Sequence, residues 1–283
     1  MTARTHAIRE AVSHENSACY CNSRHGWCHM AILDQKMSTF YLGTHRPHWL
    51  KTAEIPLFVS HRTLKNYKNL FPATHERALD SGGFTELHKY GKWKTTEKEY
   101  IQAVKRYDNE IGSLNWCAPM DWMCETTALK QTGLTVEEHQ KRTVENFLNL
   151  RQQLGTKVVP VLQGWEPEDY LKHVDDYSKH INLEEEQTVG LGSVCRRHSE
   201  TQICKIIHQL QPIKLHAFGV KGAVFGKIHE YITSADSLAW SFTARYSDPL
   251  IGCTHKTCTN CYLFALKWRE KTLQTANQAR LFV

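Results

Sequence analysis

From Met37 onward the chain alternates short apolar runs with longer amphipathic stretches, and nothing else in it constrains the fold as strongly. The apolar runs are Phe40–Leu42, Ile55–Ser60, Ala78–Ser81, Leu114–Ala118, Val158–Leu162, Thr188–Gly192, Lys214–Phe218 and Ser234–Asp236. Between them, Thr96–Ile111 places Tyr100, Ile101, Val104 and Tyr107 at helical spacing. Thr135 followed by Glu138 is a capping-box pattern that opens a helix to Leu154, with Gly155 as its stop. Pro167–Ile181, Glu200–Leu210 and Cys258–Leu273 also read as helices. About eight strands alternating with helices predict an α/β fold, a (β/α)₈ TIM barrel, with a doubly wound sheet as the rival. The length, 283 residues, suits one barrel.

A hydrophobic fraction of 41% and a charged fraction of 23% exclude a disordered or collagen-like chain. No apolar run approaches the roughly 18 residues that cross a bilayer, so no membrane partner is expected. The opening Met1–His6 leads into no apolar stretch, which predicts a cytoplasmic protein. The formal charge of +6 allows a polyanionic partner without requiring one. Residues 1–36 lack any period and gather His6, His14, His25 and His29 with Cys19, Cys21 and Cys28. They read as an N-terminal extension ahead of a single barrel over 37–283. A zinc knuckle there is the weaker reading, because such knuckles sit inside a hydrophobic framework.

In a parallel barrel, chemistry collects at the C-terminal ends of the strands. Asp80 closes one run and leads into Ser81-Gly82-Gly83-Phe84, where paired glycines let backbone pass close to a ligand. Asp121 follows Trp116–Met120, and Gln163 follows Val158–Leu162. Gly190-Leu191-Gly192-Ser193 ends another run, and Asp236 ends the last. A single acid at a strand end is commonly a helix N-cap. Three acids, a Gln and two glycine motifs at successive strand ends point to a pocket with carboxylates and amide donors.

A second signal lies near the C-terminus. Cys253, His255, Cys258 and Cys261 offer four zinc-type ligands within nine residues. Cys117, Cys124, Cys195 and Cys204 are isolated and read as buried apolar residues. His88–Lys94 mixes Lys89, Lys92 and Lys94 with aromatics, as a phosphate-tracking loop with a stacking residue would. Arg196 and Arg197 follow the Gly190 motif and are candidates for a phosphate contact. His216 reads as a core histidine or one that supports a site residue.

Together these residues resemble the tRNA-guanine transglycosylase superfamily, whose members exchange guanine in a polynucleotide for a 7-deazaguanine base on a zinc-containing (β/α)₈ barrel. Asp80-Ser81-Gly82-Gly83-Phe84 looks like the family's Asp-Ser-Gly-Gly-aromatic motif. Asp121, Val161-Leu162-Gln163-Gly164, the Gly190 motif, Asp236 and the three cysteines accompany it. Phe40–His45 and Val189–Arg197 are similar to the DNA-modifying branch, DpdA. Thr85 stands where many tRNA-acting relatives have Gln, the cysteines are more widely spaced, and no His follows Cys261, which makes His255 the local candidate for the fourth ligand, with a histidine elsewhere in the chain as the alternative.

The resemblance implies a DNA-guanine transglycosylase with Zn²⁺ as its cofactor. DNA, guanine and a 7-deazaguanine base such as the 7-cyano form are its partners, with a homodimer as a further expectation. Location in the host cytoplasm follows for a phage-encoded enzyme. By the same resemblance Asp236 is the nucleophile toward C1′, and Asp80 is the general acid/base. Asp121 accepts guanine N1–H and the exocyclic amine. Gln163 and the Gly192 amide hold the O6 side. Phe84 stacks on one face of the base, and Val220 covers the other. The alternatives are a tRNA-guanine transglycosylase and a non-catalytic zinc-containing nucleic-acid-binding barrel. A metal-dependent hydrolase is the weakest, since only His216 stands near a strand end.

Overall fold

Strands form where the sequence sets its apolar runs, in a computed structural model that describes residues 38–195 and 199–280. In chain order, β1 (Thr39–Thr44) and β2 (Leu57–Ser60) precede α1 (His61–Leu64). Next come β3 (Arg77–Asp80), α2 (Gly83–Tyr90), α3 (Glu97–Glu110), β4 (Leu114–Cys117), α4 (Thr126–Thr132) and α5 (Val136–Leu154). The second half holds β5 (Val161–Leu162), α6 (Pro167–Ser178), β6 (Val189–Leu191), α7 (Glu200–Gln209), β7 (Leu215–Ala217) and α8 (Gly222–Ile228). It ends with β8 (Ser234–Ser237), α9 (Ala239–Thr243) and α10 (Tyr262–Arg280).

All the paired strands run parallel, in the order β4-β3-β2-β1-β8-β7-β6-β5. First and last strands pair directly, which a doubly wound sheet does not allow. The edge strands β4 and β5 approach through a parallel bridge between Cys117 and Val158, where the Val159 N–H donates to the Cys117 carbonyl at 3.1 Å. Pro160 has no N–H to give a ladder, so Val158–Val159 lean toward β4 while Val161–Leu162 pair with β6. The result is a TIM-like α/β fold.

The period of two in the strands separates two apolar layers. Phe40, Leu42, Leu57, Val59 and Leu79 face the helices and build the main core. Tyr41, Phe58, Ala78, Trp116 and Val159 face inward as a second cluster, with Phe218 packed against it. Helix ends follow local chemistry. Thr96 and Glu99 exchange both bonds of a capping box at α3, and Thr135 accepts the Glu138 N–H at α5. Gly155 stops α5 with φ +61°.

Two expectations change. The last helix begins at Tyr262, not Cys258, because Cys258–Cys261 form a turn closed by the Cys261 N–H on the Cys258 carbonyl. The segment His88–Lys94 is not one loop. Its first three residues are the last turn of α2, which stops at Gly91. Residues 1–36, with their His and Cys group, lie outside the described residues. Among the described residues no helix is long and apolar enough to cross a membrane.

Candidate active site

The C-terminal ends of the strands surround a cavity of about 460 Å³, a size common for small-molecule sites. Asp80, Phe84, Asp121, Gln163, Gly192 and Asp236 all line it, over a floor that includes Phe58 and Phe218. Strands deliver four of them: Asp80 ends β3, Gln163 follows β5, Gly192 follows β6, and Asp236 is the third residue of β8, while Phe84 lies in the first turn of α2 and Asp121 in the segment after β4.

The carboxyl groups of Asp80 and Asp236 are differently supported. Asp236 is buried, and its Oδ1 accepts the Gly219 N–H at 2.9 Å. His216 Nε2 stands 3.3 Å from the same oxygen, and His216 Nδ1 pairs with Ser234 Oγ at 2.8 Å. The His216 ring is held by Trp116 and Phe218, with centroids at 4.6 and 4.7 Å. Burial lowers the His216 pKa against the opposing pull of its hydrogen bond to Asp236. Asp80 is paired across the β2–β3 register with Ser60. Burial raises its pKa, and the Asp236 charge adds to the rise. Hydrogen bonds from Ser60 and the Gly82 N–H, with the Arg62 charge, only partly oppose it. A carboxyl biased toward its protonated form therefore stands near one held by donors, the division of roles that acid and nucleophile need.

Asp121 sits in a continuous polar network. Ser81 Oγ donates to its Oδ1 at 3.2 Å, and Gln163 Nε2 donates to its Oδ2 at 2.6 Å. Ser193 Oγ donates to Gln163 Oε1 at 2.7 Å and accepts the Cys124 N–H at 2.9 Å. Ser193 reaches this position with φ +55°, a strained value for a residue with a side chain. Gln140 Nε2 caps the Gln163 carbonyl at 2.7 Å, and His173 Nδ1 takes the Gln163 N–H at 2.8 Å. Burial first, then the Asp80 charge, pushes the Asp121 pKa up to about 6.

The glycines make room for protein here. Gly82 takes φ +89°, and a Cβ there would meet Arg62 Cγ at 2.6 Å. A Cβ on Gly192 would lie 2.2 Å from Gln163 Nε2. Only glycine at 192 lets the Gln163 amide lie where Asp121 can hold it. The Gly192 N–H, expected to face a ligand, donates instead to the Leu162 carbonyl at 2.9 Å in the strand ladder.

The other expected residues divide. Phe84 lies at the cavity wall and stacks on His88 with centroids 4.1 Å apart. Ser81, Gly82 and Gly190 act behind the lining. Val220 lies in the main core and not in the wall, whose β7 end is formed by Phe218 and Gly219. Lys89, Lys92 and Lys94 are exposed, with Lys89 and Lys94 Nζ 5.1 and 5.8 Å from the Tyr90 ring centre. Trp93 packs inward against both neighbouring cores rather than standing out to stack. Arg196 and Arg197 lie outside the described residues. Glu125 and Leu238 line the cavity without an expectation from the sequence, Ser193 lines it as the end of the Gly190 motif, and Cys195 and Cys204, expected to be buried, are half-buried, with Cys195 in the cavity wall. Glu125, close after Asp121 at a strand end, carried the same signal as the acids that were singled out.

A separate cluster lies between α9 and α10. The ligand atoms of Cys253, His255, Cys258 and Cys261 all lie within 4.8 Å of one another. Cys253 and Cys261 Sγ are 3.9 Å apart, close to the ~3.8 Å edge of a tetrahedron with metal–sulfur bonds of ~2.3 Å. Desolvation and the neighbouring thiols push the Cys253 pKa up to about 11. The crowding of thiols that a shared cation would relieve, with the donor set itself, fits a metal ion. The loop is tied to β1 and α9: His45 Nε2 pairs with Asn260 Oδ1 at 2.6 Å, and Ser241 Oγ donates to the Thr259 carbonyl at 3.0 Å.

A family model described as DpdA, deoxypurine in DNA protein A, matches residues 36–282. No curated protein matches the chain.

Proposed function

The chain belongs to the DpdA family of the tRNA-guanine transglycosylase superfamily, and from that premise we propose that it replaces guanine in DNA with a 7-deazaguanine base through a covalent sugar–Asp236 intermediate. Membership implies a transglycosylase that modifies DNA. The observation that best supports the finer reading is the meeting of Asp80, Asp236 and Asp121 in one cavity with distinct surroundings.

Breaking the bond from guanine N9 to C1′ builds positive charge on the sugar. Asp236 attacks C1′ as the bond to N9 breaks, and the sugar–carboxylate ester forms. Asp80 gives its proton to the departing base. It then takes a proton from the incoming 7-deazaguanine, whose N9 attacks C1′ and returns Asp236 as a carboxylate. The Gly219 N–H and His216 hold Asp236 in place for both attacks. The second lone pairs of Asp121 accept N1–H and the exocyclic amine, while Ser81 and Gln163 fix the carboxylate plane. Phe84 covers a face of the base. The target leaves its stack before the cavity can hold it.

Zinc is the metal proposed for Cys253, His255, Cys258 and Cys261, and its part there is structural. Cys258→Ser should lose the metal, about one equivalent per chain, and lower the melting temperature together. Atomic absorption and thermal unfolding measure both. A wild-type chain that folds and melts unchanged without metal would remove this assignment.

Gly192→Ala should push the Gln163 amide off Asp121 while leaving the barrel folded. Loss of those hydrogen bonds predicts guanine binding about tenfold weaker by calorimetry. Unchanged affinity would take Gln163 out of base recognition.

The decisive experiment for the function is mass spectrometry of nucleosides from DNA and tRNA of cells that co-express the protein with a 7-deazaguanine supply. A 7-deazaguanine deoxynucleoside in the DNA is expected. Unmodified DNA beside modified tRNA would shift the assignment to the RNA-acting enzyme.

A further inference from the structure

Leu238, Phe242 and Tyr246 are exposed at 44, 61 and 77% and recur every fourth residue. Leu238 lines the cavity mouth two residues beyond Asp236. α9 carries Phe242, and the turn continues past it through the Arg245 N–H on the Phe242 carbonyl and the Tyr246 N–H on the Thr243 carbonyl. The Ala244 N–H also reaches the Trp240 carbonyl at 2.9 Å in the i to i+4 pattern, in which residues four apart share one side. The exposed segment therefore leaves the cavity mouth at Leu238 and carries Phe242 and Tyr246 outward beyond it. The Phe242 and Tyr246 rings pack with centroids 5.0 Å apart. The inner side is fixed: Trp240 and Ala244 are fully buried, and Trp240 Nε1 donates to the Gly43 carbonyl at 2.8 Å. The outward aim of the segment is thus set by the packing beneath it.

Its occupant follows from the position of Asp236, and so rests on the function proposed above. A sugar in contact with Asp236 carries its neighbours on its own phosphates. The adjoining nucleotides then cross the cavity rim, and Leu238 is the point where this exposed segment joins that rim. Arg245 and Lys256 are exposed on the same segment, against Asp248 as its one acid between residues 238 and 261. Aromatic faces with nearby cations suit bases and phosphates. Extruding one nucleotide also leaves the flanking bases with an uncovered face. We propose that Phe242 and Tyr246 form a stacking platform for the bases flanking the extruded guanine in the target strand. The platform offsets part of the lost base stacking and continues the binding site beyond the cavity.

The test compares wild type, the double variant Phe242→Ala/Tyr246→Ala and the swap Phe242→Tyr/Tyr246→Phe. Both rings are exposed, so melting temperatures should agree. Fluorescence anisotropy with a labelled guanine-containing DNA strand should show the double variant binding about 100-fold more weakly, about tenfold per ring. The swap should stay close to wild type, and free guanine should bind all three proteins equally. Equal DNA affinity in the double variant, with wild type binding well, would overturn the platform and leave the function intact. A change from dimer to monomer in sedimentation without loss of DNA affinity would overturn it too, in favour of a second copy on this face. A wild-type protein that binds no DNA would overturn both readings.

Discussion

Asp236→Ala should lower guanine release from DNA by at least about 10⁴-fold, the scale at which loss of an enzyme nucleophile is felt. The substitution also removes the acceptor of the Gly219 N–H and the partner of buried His216, and an orphaned buried donor costs about 1–3 kcal/mol. Asp236→Asn separates the two effects. It keeps an oxygen for Gly219 but has no carboxylate to attack C1′. Both variants should be inactive, and the Asn variant should melt near wild type with normal metal content. Wild type incubated with DNA and no incoming base should form a protein–DNA species that survives denaturing electrophoresis. Neither variant should form it. Base exchange at the wild-type rate by Asp236→Asn would end the nucleophile assignment.

His216 belongs to the same argument. Sequence position marked it only as a core or supporting histidine. The β7–β8 register sets it against Ser234, and one ring nitrogen then meets Asp236 while the aromatic cluster holds the ring. A buried imidazole whose pKa is lowered offers Asp236 a neutral N–H. For the proposed attack on C1′, that donor steadies the carboxylate without cancelling its charge.

The strand positions were legible because buried parallel strands must be short apolar runs, and every run appears in the sheet. Acids at the ends of those runs followed from the same reasoning. What the chain text hid was side-chain direction. Val220 and Phe218 are both apolar and two apart, yet one enters the main core and the other the cavity wall. The Gly192 N–H was expected on the O6 side of the base, and the β5–β6 pairing gives it to the ladder instead. Ser193 entered the site through a left-handed φ, which a serine does not advertise. The aromatics of His88–Lys94 divide, with Tyr90 exposed at the end of α2 and Trp93, beyond the stop at Gly91, packed inward. Phe242 and Tyr246 carry no periodic signal in the sequence, because the short α9 gives too few residues for a period to show.

Asp121→Asn should show a stability gain and an activity loss together. Folding raises the Asp121 pKa from 3.8 to about 6, so the native state holds this proton more tightly than the unfolded chain. Its stabilising contribution is complete below about pH 4 and is lost as pH rises through about 6. At pH 7 the ionised carboxylate is then a liability of at most about 3 kcal/mol. Asn removes it while its oxygen and amide still satisfy Gln163 and Ser81, so the variant should melt higher than wild type at pH 7 and no higher at pH 4. Recognition moves the other way. In the proposed recognition, ionised Asp121 presents two acceptors to the paired N–H groups of guanine, and Asn turns one of them into a donor. Guanine turnover per unit concentration should fall by at least about 10²-fold, since a mismatched buried polar pair discriminates strongly. In wild type, guanine affinity should weaken with falling pH, approaching tenfold per unit below about 6 as the carboxylate is protonated, and the Asn variant should lack that limb. Calorimetric titrations between pH 4.5 and about 8 test this together with the melting curves. A variant that is both less stable at pH 7 and still pH-dependent in guanine binding would place the ionisation on another group, with Asp80 the first to examine.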